Sequence, residues 1–360
     1  MKKINFFGPI NSLGYGVASY NIWKNLSNIS DICLFTIGNN ISLPVQSSDE
    51  IINKIRQDLN KAANYNVHAP CIKIWHEHDL AERIGKGPLY SYPFFEVNKF
   101  NDRRKNHLKS SDHIIVASKW AQQILSKELG SNSNTYVVPC GVDRNIFNDE
   151  NDIVNTVKCI FLNCGKWELR KGHDILHKAF KQAFQNNESV ELWMMTENPF
   201  LSETETKHWQ HLYQDNRIKL ISRVSTQQEL ASIMNRSFCG VFPSRAEGWN
   251  LEAIEMMSCG KDIIITNYSA HTEFCNNENS HLIDIIEEEP IYDGKWFVGD
   301  NGTWACLDNH PYDQLISHFK TIYNKWKDNP YYINQRGIDT SKKLSWENAA
   351  NNILNIMERD

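Results

Sequence analysis

Short apolar runs alternate with longer polar or amphipathic segments along this chain, and the alternation begins twice. In the first half the runs fall at residues 4–7, 32–37, 72–75, 114–117 and 136–138. In the second they fall at 159–163, 190–195, 219–222, 240–242 and 262–266. Runs this short and mostly apolar suit strands covered on both faces. Polar or helix-patterned segments separate them, among them 50–64, 118–129, 173–184 and 229–234. The pattern predicts an α/β fold of two doubly wound, Rossmann-like domains, each an open parallel sheet with helices on both faces. Such domains face each other across a cleft and bind ligands at the carboxyl ends of their strands.

With 360 residues the chain exceeds one ordinary core, so two domains are expected. The Asn- and Asp-rich segment 145–156 has few apolar residues and reads as a linker. The first domain is therefore placed at 1–150 and the second at 157–342. The end of the chain, 311–360, reads as helical, and Ser345 opens an apolar stripe over 345–357 in the manner of a capping box. Residues 286–310 read as an irregular excursion.

A net charge of −5 argues against a protein wrapped in nucleic acid. Nine cysteines are scattered without a Cys-x-x-Cys pair, which reads as buried, reduced thiols in a cytoplasmic protein. Residues 1–8 are too short in apolar content for a signal peptide and read as a first strand. No run approaches the ~20 apolar residues of a spanning helix, so membrane association, where it occurs, is peripheral. Eleven tryptophans suit sugar rings as well as cores, core packing being the commoner use.

Residues 243–260 concentrate the chemistry. A short apolar run leads into a polar loop with Glu247 and Gly248. A helical pattern through Leu251, Ile254 and Met257 stops at Gly260. Strand, turn and helix N-terminus together offer backbone N–H groups to an anion, a diphosphate for example. Glu247 and Glu255 suit sugar or ribose hydroxyls, since like charges keep them from phosphates. In the same half, the glycine-bounded loop 165–172 supplies Lys166, Arg170 and Lys171. Point charges and a helix terminus together suit a diphosphate leaving group. Either glutamate alone would read as a solvated helix face.

Further candidates lie in the first half. Gly14 and Gly16 follow the first strand in a loop that either admits a ligand close to the backbone or is a plain tight turn. His76 and His78, placed on a strand, would point to one side with Glu77 opposite; a metal pair would lack a third ligand, so no metal site is assigned. Glu96 ends an aromatic run, as a paired structural group or a cleft residue. The basic run 99–109 is a solvated helix face, or contacts an anionic membrane surface, nucleic acid or an acceptor's phosphate.

Taken jointly, these residues resemble the retaining glycosyltransferases of the GT-B fold, family 4. Glu247 and Glu255, with seven residues between them, match the Glu-x7-Glu signature. Gly165–Gly172 is similar to the family's phosphate-binding loop, and Val138–Asp143 to the segment before its linker. Pro243-Ser244-Arg245 and Cys259-Gly260-Lys261 flank the signature as in the family. Gly14 and Gly16 match its N-terminal glycine loop, and the final helix, about 345–360, looks like the segment that returns to the first domain.

The resemblance implies that Lys171 and Lys166 bind a nucleotide-sugar pyrophosphate, Glu247 holds the donor sugar and Glu255 the ribose. The backbone at Trp249, Asn250 and Leu251 would contact sugar and phosphates, with Arg223 and Val224 bordering the base. Retention would proceed by a front-face route without a metal, and no cofactor beyond the nucleotide-sugar co-substrate is implied. Three departures stand out: Lys166 replaces the usual arginine and loses its bidentate fork, Asn250 stands where glycine is common, and a histidine often found at the first-domain cleft has no counterpart, Glu96 or Phe95 falling near its place. The acceptor side falls to His76, His78 and Glu96. The implied acceptor is a glycan or lipid-linked oligosaccharide of surface polysaccharide synthesis. Alternatives are a modified DNA base, a protein, or a non-catalytic nucleotide-sugar-binding subunit.

Overall fold

The computed structural model describes residues 1–38, 41–46, 48–130, 134–150, 157–187, 189–299 and 302–359. The chain divides into two compact units. One comprises Met1–Asp143, Ser225–Gln228 and the segment that starts at Leu344; the other comprises Arg144–Val224 and Glu229–Lys343.

The first unit runs β1 (Lys3–Gly8), α1 (Gly14–Ile29), β2 (Asp31–Thr36), α2 (Asp49–Asn60), β3 (Cys71–Lys73), β4 (Leu89–Ser91), α3 (Asp102–Lys109), β5 (His113–Val116), α4 (Lys119–Leu129) and β6 (Thr135–Val137). The strands form one parallel sheet in the order β2-β1-β3-β4-β5-β6. Ser48, Asn101 and Ser118 each accept a backbone N–H at a helix start, which is why α2, α3 and α4 begin where they do.

The second unit contains β7 (Cys159–Cys164), α5 (His173–Phe184), β8 (Val190–Met195), α6 (Glu203–Leu212), β9 (Ile218–Leu220), α7 (Gln227–Arg236), β10 (Cys239–Phe242), α8 (Leu251–Ser258), β11 (Asp262–Thr266), β12 (His281–Ile283), β13 (Glu288–Pro290), β14 (Thr303–Ala305), α9 (His310–Asp328) and α10 (Gln335–Lys343). The first two residues of α7 cluster with the other unit. Its main sheet is parallel, in the order β12-β11-β10-β7-β8-β9. Every residue of β7 is buried, as a strand covered on both faces requires.

The last helix, α11 (Trp346–Glu358), belongs to the first unit and packs on α1. Ser345 caps it by accepting the Asn348 N–H. Trp346, Ala349, Ala350, Ile353, Ile356 and Met357 form its buried stripe. On the other side, α1 is buried without a break from Gly16 to Trp23. A helix buried nearly all round needs cover on both sides, and the sheet and α11 supply it.

Three readings are corrected. His76 and His78 do not lie on a strand: β3 ends at Lys73 and a turn follows, which brings Glu77 to the same side as the histidines. The excursion 286–310 contains an antiparallel hairpin, β13 with β14. The described part of the segment read as a linker is not loose. Phe147 is fully buried, and Arg144 donates to the Ser258 carbonyl and hydroxyl of α8. Residues 151–156 of that segment lie outside the described residues. The parallel edge strand β12 and helix α6 escaped the sequence pattern because their runs are short or polar.

The return of the chain to the first unit depends on a close approach. Val142 donates to the Leu344 carbonyl, and a Cβ on Gly141 would overlap the backbone of Ser345 and Trp346. Backbone cannot swing aside as a side chain can, so we expect Gly141→Ala to cost about 1–3 kcal/mol of stability, read as a lower urea midpoint at unchanged slope.

Candidate functional site

The loop after β7 is fixed before any of its charges come into play. Gly165 leaves the strand at φ 143°, a conformation open to glycine. The Trp167 indole is buried and stacks on Trp209 at 5.7 Å. Gly172 closes the loop at φ 73°, where a Cβ would overlap the Pro243 carbonyl. His173 then opens α5: its Nδ1 accepts the Glu168 N–H (3.2 Å), and its Nε2 lies 3.0 Å from Asn163 Oδ1. Burial, with Lys171 and Arg170 nearby, holds its pKa well below the usual histidine value. A neutral ring carrying its proton on Nε2 satisfies both contacts.

Above this loop sits a buried ion cluster. Arg170 Nη1 donates to Glu247 Oε2 at 2.8 Å and to the Ala246 carbonyl at 2.8 Å. Its Nη2 donates to Glu168 Oε2 at 2.7 Å. Lys171 Nζ lies 2.7 Å from Glu247 Oε1, which also accepts the Ser244 hydroxyl at 2.8 Å. Burial alone would raise the Glu247 carboxyl; Arg170 and Lys171 outweigh it and hold it far below the carboxylate range. For Lys171, burial lowers the pKa and Glu247 and Glu252 more than restore it. Both groups are therefore charged at neutral pH.

The loop that carries Glu247 is tied from all sides. Its N–H donates to Ser269 Oγ (2.8 Å), a residue itself at φ 54°. Thr266 Oγ1 donates to the Ser244 carbonyl, and Arg245 N–H to the Arg170 carbonyl, each at 2.6 Å. The Arg245 guanidinium grips both carboxylate oxygens of Asp174 on α5 and Glu289 on β13, which ties the hairpin to the loop. Asn250 adopts φ 90° and accepts the Ala253 N–H at the start of α8. Asparagine is among the few non-glycine residues that tolerate this conformation. Its amide donates to His271 Nε2 at 3.0 Å, while His271 Nδ1 reaches the Thr266 carbonyl at 3.0 Å. Burial lowers the His271 pKa to about 4, so the ring stays neutral.

The sequence-predicted residues are distributed as follows. Lys171 and Glu247 meet directly. Lys166 sits at the rim, 3.3 Å from Glu168 and over the exposed Phe200 ring. Glu255 is buried on α8, where with Glu252 it adds to the effect of burial in raising the Cys164 thiol. Trp249 is buried against Phe274, with its indole nitrogen unpartnered among the described residues. Leu251 begins α8, and Arg223 and Val224 follow β9, all three half-buried. Gly14 and Gly16 belong to the other unit: a Cβ on Gly16 would overlap Asn11, whereas Gly14 faces open space.

His76, His78 and Glu96 are also in that unit. The two imidazoles stack at 5.2 Å, and with Glu77 they bring ligand atoms within 4.8 Å of one another. Arg104 Nε already holds Glu77 at 2.7 Å. Glu96 is half-buried and close enough to add to burial in raising the Tyr15 hydroxyl. In the basic run 99–109, Arg104 pairs with Glu77 and Lys105 with Glu128, which leaves Lys99, Arg103 and Lys109 as its exposed cations. No described helix is long and apolar enough to cross a membrane.

Sequence reasoning named Arg170 only as a loop cation and Ser244 only as a residue flanking the signature, and it missed the roles of Asn163, His173 and His271. Arg170 was legible: it adjoins Lys171 in the same glycine-bounded loop. The histidines carried no local signal, because their partners come from other strands.

With this geometry in hand, known proteins can be compared. Residues 158–290 match the family described as Glycosyl transferases group 1. An uncharacterised glycosyltransferase of Methanocaldococcus jannaschii is 28% identical over 252 residues, 69% of this chain; the chain spans 60% of that relative's length. Sucrose-phosphate synthase from Thermosynechococcus elongatus superposes with a TM-score of 0.72 at 15% identity, over 100% of this chain and 99% of the other. Anabaena HepE, in complex with UDP and glucose, gives 0.71 at 14% identity over 100% of both chains. The chain therefore has the GT-B fold.

Removing the Glu247 charge strands the buried Lys171 and leaves Arg170 with Glu168 alone. Glu247→Gln should cost about 3–5 kcal/mol, measured by urea unfolding at pH 7 against the wild type. Because the folded pKa lies below the unfolded one, this stabilisation is complete above the carboxylate range and is lost only as pH falls well below 4.5. The wild type and variant should converge only in strong acid.

Proposed function

We propose that this chain is a retaining glycosyltransferase of family 4, moving a sugar from a nucleotide-diphospho-sugar to a glycan or lipid-linked acceptor in surface polysaccharide synthesis. The observation that carries the reading is the buried Arg170–Glu247–Lys171 cluster beside the start of α8. The family match over residues 158–290, where the cluster lies, supports it. So does the likeness in fold to a protein bound to UDP and glucose.

The roles divide by chemistry. An ammonium has three donors; Glu247 takes one from Lys171, and the others suit a diphosphate oxygen. As the glycosidic bond breaks, negative charge grows on the leaving diphosphate. Lys171 and the α8 N-terminus stabilise that charge from a preorganised position, with Lys166 at the rim. Arg170 keeps Glu247 ionised and in place, so its carboxylate can accept hydroxyls of the donor sugar. Glu255 takes the ribose, and Arg223 and Val224 border the base. Attack on the face that the diphosphate leaves gives retention, and no metal is called for. The reaction takes place in the cytoplasm, with Lys99, Arg103 and Lys109 available to an anionic membrane surface or an acceptor phosphate.

Calorimetric titration with UDP, GDP and ADP tests the donor assignment: one nucleotide should bind clearly better, and no binding by any would overturn it. Lys171→Met should weaken that nucleotide by about 1.5–3 kcal/mol, the worth of a charge-assisted hydrogen bond. With an α-linked donor, proton NMR of the product should show an α linkage; a β product would contradict retention.

A further inference from the structure

At the carboxyl ends of β1, β2 and β3 the first unit holds a cavity of about 340 Å3, a size suited to a single sugar ring. The strand register builds it. Phe7 pairs with Phe35 on one side and with Lys73 on the other, so two aromatic rings and an amine share one face. Asp79 and Glu82 complete the wall from the turn after β3.

Lys73 is the unusual member. It ends a buried strand and is only 1% exposed. Among the described residues its ammonium makes one hydrogen bond, to the Glu82 carbonyl at 3.1 Å. The Glu82 carboxylate stands 4.0 Å away but is 71% exposed, so solvent screens the pair. The Phe7 ring lies 4.9 Å below the ammonium. Burial lowers the Lys73 pKa, opposed by Asp79 and Glu82. An ammonium buried with donors to spare costs stability, and an apolar residue would serve the sheet better.

We propose that this cavity binds the anion-bearing sugar of the acceptor, with Lys73 on its carboxylate or phosphate and Phe7 and Phe35 against the ring. Asp79 and Glu82 at the wall then accept ring hydroxyls. A neutral sugar would leave the ammonium unmatched, and an aromatic acid would leave the two carboxylates facing no hydroxyl. That the ligand is an acceptor rests on the glycosyltransferase reading; that the site takes an acidic sugar does not.

The test uses the full chain and saturation-transfer NMR with methyl glucuronide, glucose 1-phosphate, methyl glucoside and benzoate. At least one charged sugar should bind tenfold or more tighter than methyl glucoside and benzoate, and which one does so separates uronate from phosphate. Lys73→Met should remove the preference, and Phe35→Ala should weaken the preferred sugar with the melting temperature monitored for both. Equal binding of charged and neutral sugars, a preference that survives Lys73→Met, or tightest binding of benzoate would overturn the proposal. Nucleoside diphosphate titration of the same sample separates the two readings. A charged-sugar preference without nucleotide binding keeps the cavity and defeats the transferase; nucleotide binding without the preference does the reverse.

Discussion

Two cations and two carboxylates, buried together, set the terms for the second unit. Glu247 could not stay ionised in that position without Arg170 and Lys171, Lys171 could not stay buried without Glu247, and Arg170 is shared between Glu247 and Glu168. Because each charge compensates the others, the two loops that carry them must stay in register. The backbone shows how that register is kept: Arg245 bonds across to the Arg170 carbonyl, and Gly172 passes against Pro243. The loops that look like separate motifs along the chain are one object in space.

Around the charged cluster the protein places neutral polar groups. His173 and His271 are both buried and held neutral, each using one ring nitrogen as donor and the other as acceptor. His173 joins the basic loop to β7 through Asn163, and His271 joins the start of α8 to the end of β11. A charged residue in either place would add an uncompensated ion to a site whose charges are already matched. This rigidity is what electrostatic stabilisation of a leaving group demands, since dipoles that must reorient during reaction lose much of their effect.

Much of the architecture was legible because buried parallel strands leave a strong trace. β7, β8 and β11 are built on apolar runs (160–162, 192–195 and 263–265), and α5 carries a clear apolar stripe bounded by glycine. What escaped did so for physical reasons. β4 is Leu-Tyr-Ser and β12 is His-Leu-Ile, strands too short to show a period. Phe147, one ring in a polar segment, anchors what read as a linker. His76 and His78 follow an apolar run, but β3 stops at Lys73, so a strand's alternation did not apply to them. At the site, the glycine-bounded basic loop, the turn before α8 and the family resemblance pointed to Lys171 and Glu247. Their direct pairing was invisible, because it depends on which strands are neighbours: β10 beside β7. Asn250 looked like a poor substitute for glycine, yet it adopts the left-handed backbone and adds a cap and a link to His271.

A structure of this chain with a nucleoside diphosphate bound would decide whether the charged cluster serves the leaving group. A phosphate oxygen should lie within hydrogen-bond reach of Lys171 Nζ and the phosphates at the N-terminus of α8, with the Arg170–Glu247 pair intact. Phosphates bound elsewhere, or bound only after Arg170 has left Glu247, would contradict that role.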